Sequence, residues 1–263
     1  MTNVLSGVRQ HAHTLLLALS FFTRIPVGHR VTYSNDAMHH AGKYFALVGW
    51  VLAGILSAWI WLLSSLLPAS VLIFLVVLAS VLLTGAFHED GLADTADAFG
   101  GGQDKDHKLI IMKDSRLGTY GVCALVGALF GKWVLLTSLV EQQSLVLSLF
   151  VAYPLSRAFA LSHVQDLPYA TESTSGKIAK SMPFATPYSV SAMAFLFITG
   201  GIALLLLPLG TAVLTLVSCI LLRHFLKYKM QKHVEGFTGD TLGAAQQIQE
   251  LTIYLMLLIG GVS

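Results

Sequence analysis

The chain has 263 residues, 55% of them hydrophobic and only 11% charged, which excludes an ordinary soluble domain, where about a quarter of residues carry charge. A formal net charge of +2 is too small for a nucleic-acid surface, so no nucleic-acid partner is expected. The two cysteines, Cys123 and Cys219, both lie in apolar runs and read as small packing residues rather than a disulfide framework or thiolate metal centre.

In chain order, the first element is the apolar run LLLALSFF (15–22), the centre of a helix expected over 13–23. It falls short of the roughly 20 residues that cross a bilayer core, so it reads as an interfacial or re-entrant helix ending at Arg24-Ile25-Pro26. No small-residue cleavage pattern follows it, so it does not read as a signal peptide. Six runs are predicted to span: 44–66, 70–87, 120–140, 144–161, 188–207 and 209–223. A seventh, 241–262, is polar in its first half.

The connections alternate in length and charge. The turns LPAS (67–70), EQQS (141–144) and PL (208–209) contain no Lys or Arg. The long connections hold Arg24, Arg30, Lys43, Lys105, Lys108, Lys113, Arg116, Lys177, Lys180, Lys227, Lys229 and Lys232. By the positive-inside rule the long connections are cytoplasmic. The expected fold is an all-α polytopic bundle of six to seven transmembrane helices arranged as hairpins, with an N-terminal interfacial helix. It forms one domain over 1–263 in the cytoplasmic (inner) membrane. The polar chemistry gathers on one face, which favours an enzyme with a cytosolic substrate over an ion-coupled transporter, whose site lies near the midplane.

The segment FHEDGLADTADAFGGG (87–102) places Glu89, Asp90, Asp94 and Asp97 within nine positions. If the helix from residue 70 continues to about 98, Asp90, Asp94 and Asp97 fall at i, i+4 and i+7 on one face, with Glu89 at its edge. Like charges on neighbouring turns repel unless a cation compensates. Oxygen donors without thiolates suit Mg²⁺ or Mn²⁺, and Mg²⁺ commonly takes one or two carboxylates with substrate phosphates completing its shell. The pattern therefore points to diphosphate chemistry; the plain alternative is a solvated acidic helix end. His88 reads as a hydrogen-bonded interfacial anchor or a further ligand. Gly100, Gly101 and Gly102 read as a flexible terminator or a substrate-clasping loop with unusual backbone angles.

The next segment, MKDSRLGTYG (112–121), flanks Asp114 with Lys113 and Arg116, which suit phosphate oxygens. Lys132, in LFGKWVLL, lies deep in a span with no partner visible in the sequence. Arg157, in YPLSRAFA, lies about one turn from the cytoplasmic end of its helix and reads either as snorkelling outward or as a functional ionisable residue within the membrane. TGDTLGA (238–244) offers Asp240 either as a helix N-cap or as another site carboxylate.

These three segments, with FFTRIPV (21–27) and KYFALVGW (43–50), closely resemble the cobalamin synthase family, adenosylcobinamide-GDP ribazoletransferase, along the whole chain. Ala98 departs mildly, since many members have Gly there. The resemblance implies transfer from adenosylcobinamide-GDP to α-ribazole or its 5′-phosphate, giving adenosylcobalamin or its phosphate and GMP, a late step of cobalamin biosynthesis. It implies Mg²⁺ held by Asp90, Asp94 and Asp97, with Glu89 as an extra or supporting ligand. Asp94, Asp114 and Glu89 become the catalytic candidates, Asp114 the first choice of general base. Lys113, Arg116 and Arg157 become phosphate holders. The partners implied are the two small-molecule substrates, the lipid bilayer, and either a homo-oligomer or other corrinoid-assembly enzymes. A CDP-alcohol phosphotransferase of phospholipid synthesis is the alternative enzyme, and Asp90-Gly91 matches its motif only in part, because Ala93-Asp94 stands where Ala-Arg is required.

Overall fold

The computed structural model describes residues 2–170 and 184–262. Among the described residues, eleven α-helices follow one another: α1 Thr2–Phe22, α2 Asn35–Ala41, α3 Phe45–Leu63, α4 Ala69–Thr84, α5 Phe87–Gly101, α6 Lys105–Ile111, α7 Thr119–Glu141, α8 Leu145–Ser162, α9 Val190–Gly201, α10 Leu209–Val234 and α11 Gly239–Gly260. Among the described residues, five stretches are long and apolar enough to cross a membrane, six if the bent pair α4–α5 counts as one. The protein is therefore an all-α polytopic bundle, as expected. Several boundaries differ. The run 188–207 forms the short α9 plus a 3-10 extension, Ile202–Leu206, and the run from 209 continues as helix to Val234. Lys177 and Lys180 lie outside the described residues.

One expectation needs correction. The helix from residue 70 does not run on to 98; α4 ends at Thr84, and α5 departs from it at 88°. Gly85 (φ 67°) and Ala86 (φ 58°) adopt the left-handed conformation, and the Ala86 amide donates back to the Val81 carbonyl at 2.8 Å, closing α4. Glycine takes that conformation without strain, which makes Gly85 the natural stop. The segment leaving α1 fills the space a continuing helix would need: the Arg24 amide donates to the Leu83 carbonyl at 2.7 Å, and a Cβ on Gly85 would fall 2.1 Å from Arg24 Nε. The turn redirects all four carboxylates of α5 away from the axis of α4.

The core is organised around α8, which is buried along nearly its whole length, whereas α7 and α10 present broad apolar faces outward. Close approach explains how α8 takes up the centre. Gly49 of α3 lies against the Tyr153 carbonyl and the Pro154 nitrogen, where a Cβ would come within 2.6 Å, and Gly200 of α9 lies against Ala158. Two tryptophans tie helices together through their indole N–H groups, Trp50 to the Thr199 carbonyl at 2.7 Å and Trp133 to the Ser70 carbonyl at 2.9 Å. Helix α5 packs chiefly on α11 and α7, and that packing builds the site.

Candidate active site

Three segments far apart in sequence meet around α5. The first junction is made by Asp97, which accepts hydrogen bonds from the amides of Gly118 (2.7 Å) and Gly121 (2.8 Å) at the start of α7. Both glycines are required sterically, since a Cβ would fall 2.5 Å from an Asp97 oxygen at Gly118 and 2.3 Å at Gly121. An α-helix start offers amides without intrahelical partners and a partial positive charge, so a carboxylate is well placed there. Asp97 thus anchors the turn as well as sharing the acidic face. Asp97→Asn should lower the melting temperature in detergent by a few degrees, roughly the loss of one charged hydrogen bond. An unchanged melting curve would mean that these bonds do not hold the turn.

The second junction joins α5 to α11. A Cβ on Gly91 would lie 2.7 Å from the Asp240 carbonyl oxygen, so the two backbones touch there. Asp240 is not the N-cap of α11. That role belongs to Thr238, whose hydroxyl accepts from the Thr241 amide while the Thr241 hydroxyl accepts from the Thr238 amide. Asp240 is left to join the acidic face beside Asp90 and Asp94.

The result is a crowded group of carboxylates. Asp94 is half-buried, and burial, then Asp90, Asp240 and Asp97, push its pKa up to about 7. Asp90 is exposed. Among the described residues, no three His, Cys, Asp or Glu side chains already converge into a closed metal cage. The donor chemistry nonetheless fits a hard divalent cation, because an ion that keeps waters and takes up phosphate oxygens requires only one or two of these carboxylates.

Glu89 departs from the expected face. Its carboxylate is buried and turns inward, 3.6 Å from Lys132 Nζ, and accepts from Gln247 Nε2 at 3.1 Å. Arg157 does not snorkel outward. It is 1% exposed, donates to the Tyr153 carbonyl at 2.8 Å, and lies over the rings of Phe45 and Tyr153. His88 is buried between Phe45 and Phe87, and neither ring nitrogen has a hydrogen-bond partner, so it is not a hydrogen-bonded surface anchor.

The basic segment lies at the exposed end of this arrangement. Lys113 is exposed, and Arg116 clasps Asp114 through its Nε and Nη2, the latter at 2.6 Å. That clasp holds the Asp114 carboxyl below its usual pKa, chiefly through the side-chain hydrogen bond from Arg116. The glycine run is not a strained loop. None of Gly100, Gly101 and Gly102 has positive φ. Gly100 makes room for the Tyr120 ring, and Gly102 for the stem of Lys108.

Comparison with known proteins adds an independent line. A family model described as cobalamin-5-phosphate synthase matches residues 14–258. A curated protein of Pseudoalteromonas atlantica, named adenosylcobinamide-GDP ribazoletransferase, is 50% identical over 245 residues, covering 93% of this chain and 90% of its own. Proteins of the same name are 45% identical in Vibrio parahaemolyticus (95% and 94% covered) and 43% identical in Shewanella amazonensis (97% and 98% covered). No solved structure matches the chain.

Proposed function

The chain belongs to the cobalamin-5-phosphate synthase family, and on that premise we propose that it transfers the adenosylcobinamide phosphate of adenosylcobinamide-GDP to α-ribazole or α-ribazole 5′-phosphate, releasing GMP. The observation that carries this reading is the crowding of Asp94 by Asp90, Asp240 and Asp97 at the junction of three otherwise distant segments. Such a cluster is costly unless a cation and a polyanionic substrate complete it. Asp90, Asp94 and Asp240 would hold Mg²⁺, with Asp97 supporting them from its bonds to the α7 amides. When bound, the ion supplies charge neutralisation for a diphosphate.

The remaining steps fall to side chains of this chain. Lys113 and Arg116 hold phosphate oxygens, Arg116 through its planar fork. Arg116 cannot clasp Asp114 and a phosphate with the same donors. Substrate would therefore draw it off, restore the basicity of Asp114, and let that carboxylate take the proton of the attacking ribazole hydroxyl. The hydroxyl oxygen bonds to the corrinoid-side phosphorus, the bond to the bridging oxygen breaks, and that oxygen leaves with GMP. Positioning and electrostatics supply most of the acceleration in phosphoryl transfer of this kind.

The site would face the cytoplasm from the inner membrane, because the long basic connections and the acidic face lie at the same helix ends. Protein in liposomes, given adenosylcobinamide-GDP and α-ribazole 5′-phosphate, should release GMP and form the joined corrinoid with Mg²⁺ and do neither after chelation. Absence of both products from folded, metal-supplied protein would reject the reading; turnover of CDP-linked alcohols instead would select the phospholipid alternative.

A further inference from the structure

The interior of the bundle, just behind the acidic face, holds a network of charges that the proposed reaction does not use. Lys132 of α7 is 3% exposed and lies in the middle of a span. Its Nζ is 3.1 Å from Glu250 Oε1 of α11 and 3.6 Å from Glu89 Oε1 of α5, and both carboxylates are buried. Two glutamines of α11 complete the connection. Gln247 Nε2 donates to Glu89 (3.1 Å) and to Gln246 Oε1 (2.9 Å), while Gln246 Nε2 donates to Glu250 Oε2 (2.6 Å) and to Ser156 of α8 (3.2 Å). The Tyr254 hydroxyl donates to Glu250 at 3.3 Å. Arg157 brings a second buried cation within electrostatic reach of Glu250 and Glu89, so two buried carboxylates face two buried cations.

A set of buried charges is a poor source of stability, because desolvation offsets most of their mutual attraction. Its better-attested use is to fix register. Register is what the site requires. Glu89 immediately precedes Asp90, and Glu250 lies on the same helix as Asp240, ten residues further along. On α5, held at one end by Asp97 on the α7 amides, a second tie at Glu89 fixes both rotation and height.

We infer that Lys132 is a positioning residue: by binding Glu89 of α5 and Glu250 of α11 at once, it sets Asp90 and Asp94 opposite Asp240. The inference rests on the reading of that acidic face as the cation and diphosphate site. Supporting groups around metal ligands are commonly worth 10- to 100-fold in affinity. Lys132→Met should therefore weaken binding of Mn²⁺ alone, titrated by electron paramagnetic resonance, by about tenfold. Spin labels on the exposed native Cys123 of α7 and on Gly101→Cys of α5 should also show reduced dipolar broadening in the variant, before any metal is added.

Lys132→Met leaves two buried carboxylates facing the single cation of Arg157 and can fail to fold, so the double variant E89Q/K132M, which keeps Glu250 within reach of Arg157, carries the same test. It leaves one buried carboxylate to one buried cation and should insert normally while still binding Mn²⁺ about tenfold more weakly. Mn²⁺ affinity within twofold of the native protein, with unchanged spectral broadening, would overturn the inference. Asp94→Asn separates the two claims. If it leaves Mn²⁺ binding intact, the acidic face is not the metal site; if it abolishes binding while the Lys132 variants bind within twofold of the native protein, only the positioning role fails.

Discussion

Asp94→Asn should lower transfer by roughly a hundred- to a thousandfold while the protein still inserts and folds, the scale typical of removing one preorganised electrostatic group from an active site. Asp94 is the most crowded member of the acidic face: burial and three neighbouring carboxylates raise its pKa to about 7. Asparagine keeps the shape and one oxygen but removes the charge, so folding should be spared or improved as activity falls. The sign of the pH effect follows from the direction of the shift. A carboxyl whose folded pKa is raised favours the native state when protonated, and that contribution declines as pH rises from about 4 through about 7. A divalent cation reverses the penalty by pairing with the ionised form. Added Mg²⁺ should therefore raise the melting temperature more at pH 8 than at pH 5, and Asp94→Asn should flatten that difference. Near-native turnover by the variant would remove Asp94 from the centre of the mechanism.

Gly91→Ala should be nearly as damaging, although it adds only a methyl group and changes no charge. The new Cβ would meet the Asp240 carbonyl oxygen at 2.7 Å and the Asp240 Cα at 3.0 Å. Both are backbone atoms of α11 and cannot rotate away, so the two helices must separate. Overpacking of this kind costs about 1–3 kcal/mol. A shift of about 1 Å between groups that act together is enough for a loss of around a hundredfold in rate. Gly101→Ala provides the control, since a Cβ there has nothing within 4 Å and alanine favours a helix over glycine. The two substitutions should differ sharply in both melting temperature and turnover. Equal behaviour would show that contact between α5 and α11 is not what places Asp240.

Membrane class and helix content could be read without coordinates, because each depends on local composition. Apolar runs of about 20 residues have few fates other than a bilayer, and clustered carboxylates stand out in an apolar chain because like charges on neighbouring turns repel. The segments 87–102, 112–121 and 238–244, with 21–27 and 43–50, also carried the family resemblance. The direction in which individual side chains turn was not local information. Helical periodicity put Glu89 at the edge of the acidic face, but Lys132 and Gln247 lie 43 and 158 residues away in sequence and pull it into the core. Arg157 lay near enough to a helix end to reach water in principle. Burial of α8 at the centre of the bundle closes that route, and no hydropathy pattern marks which apolar helix will be central.

Asp240 was equally open between capping and the site until Thr238 took the cap and Gly91 admitted the Asp240 backbone. The glycines of the three segments were visible as a pattern, but their purpose was not. Gly91, Gly118 and Gly121 are absences of a side chain, and what such a gap admits is known only once the neighbouring helix is in place. The sequence by itself determined the kind of chemistry and the solvent it works in, since charge and apolarity belong to single residues. The tertiary structure decided which carboxylates lie together, because that depends on contacts between helices that no local pattern encodes.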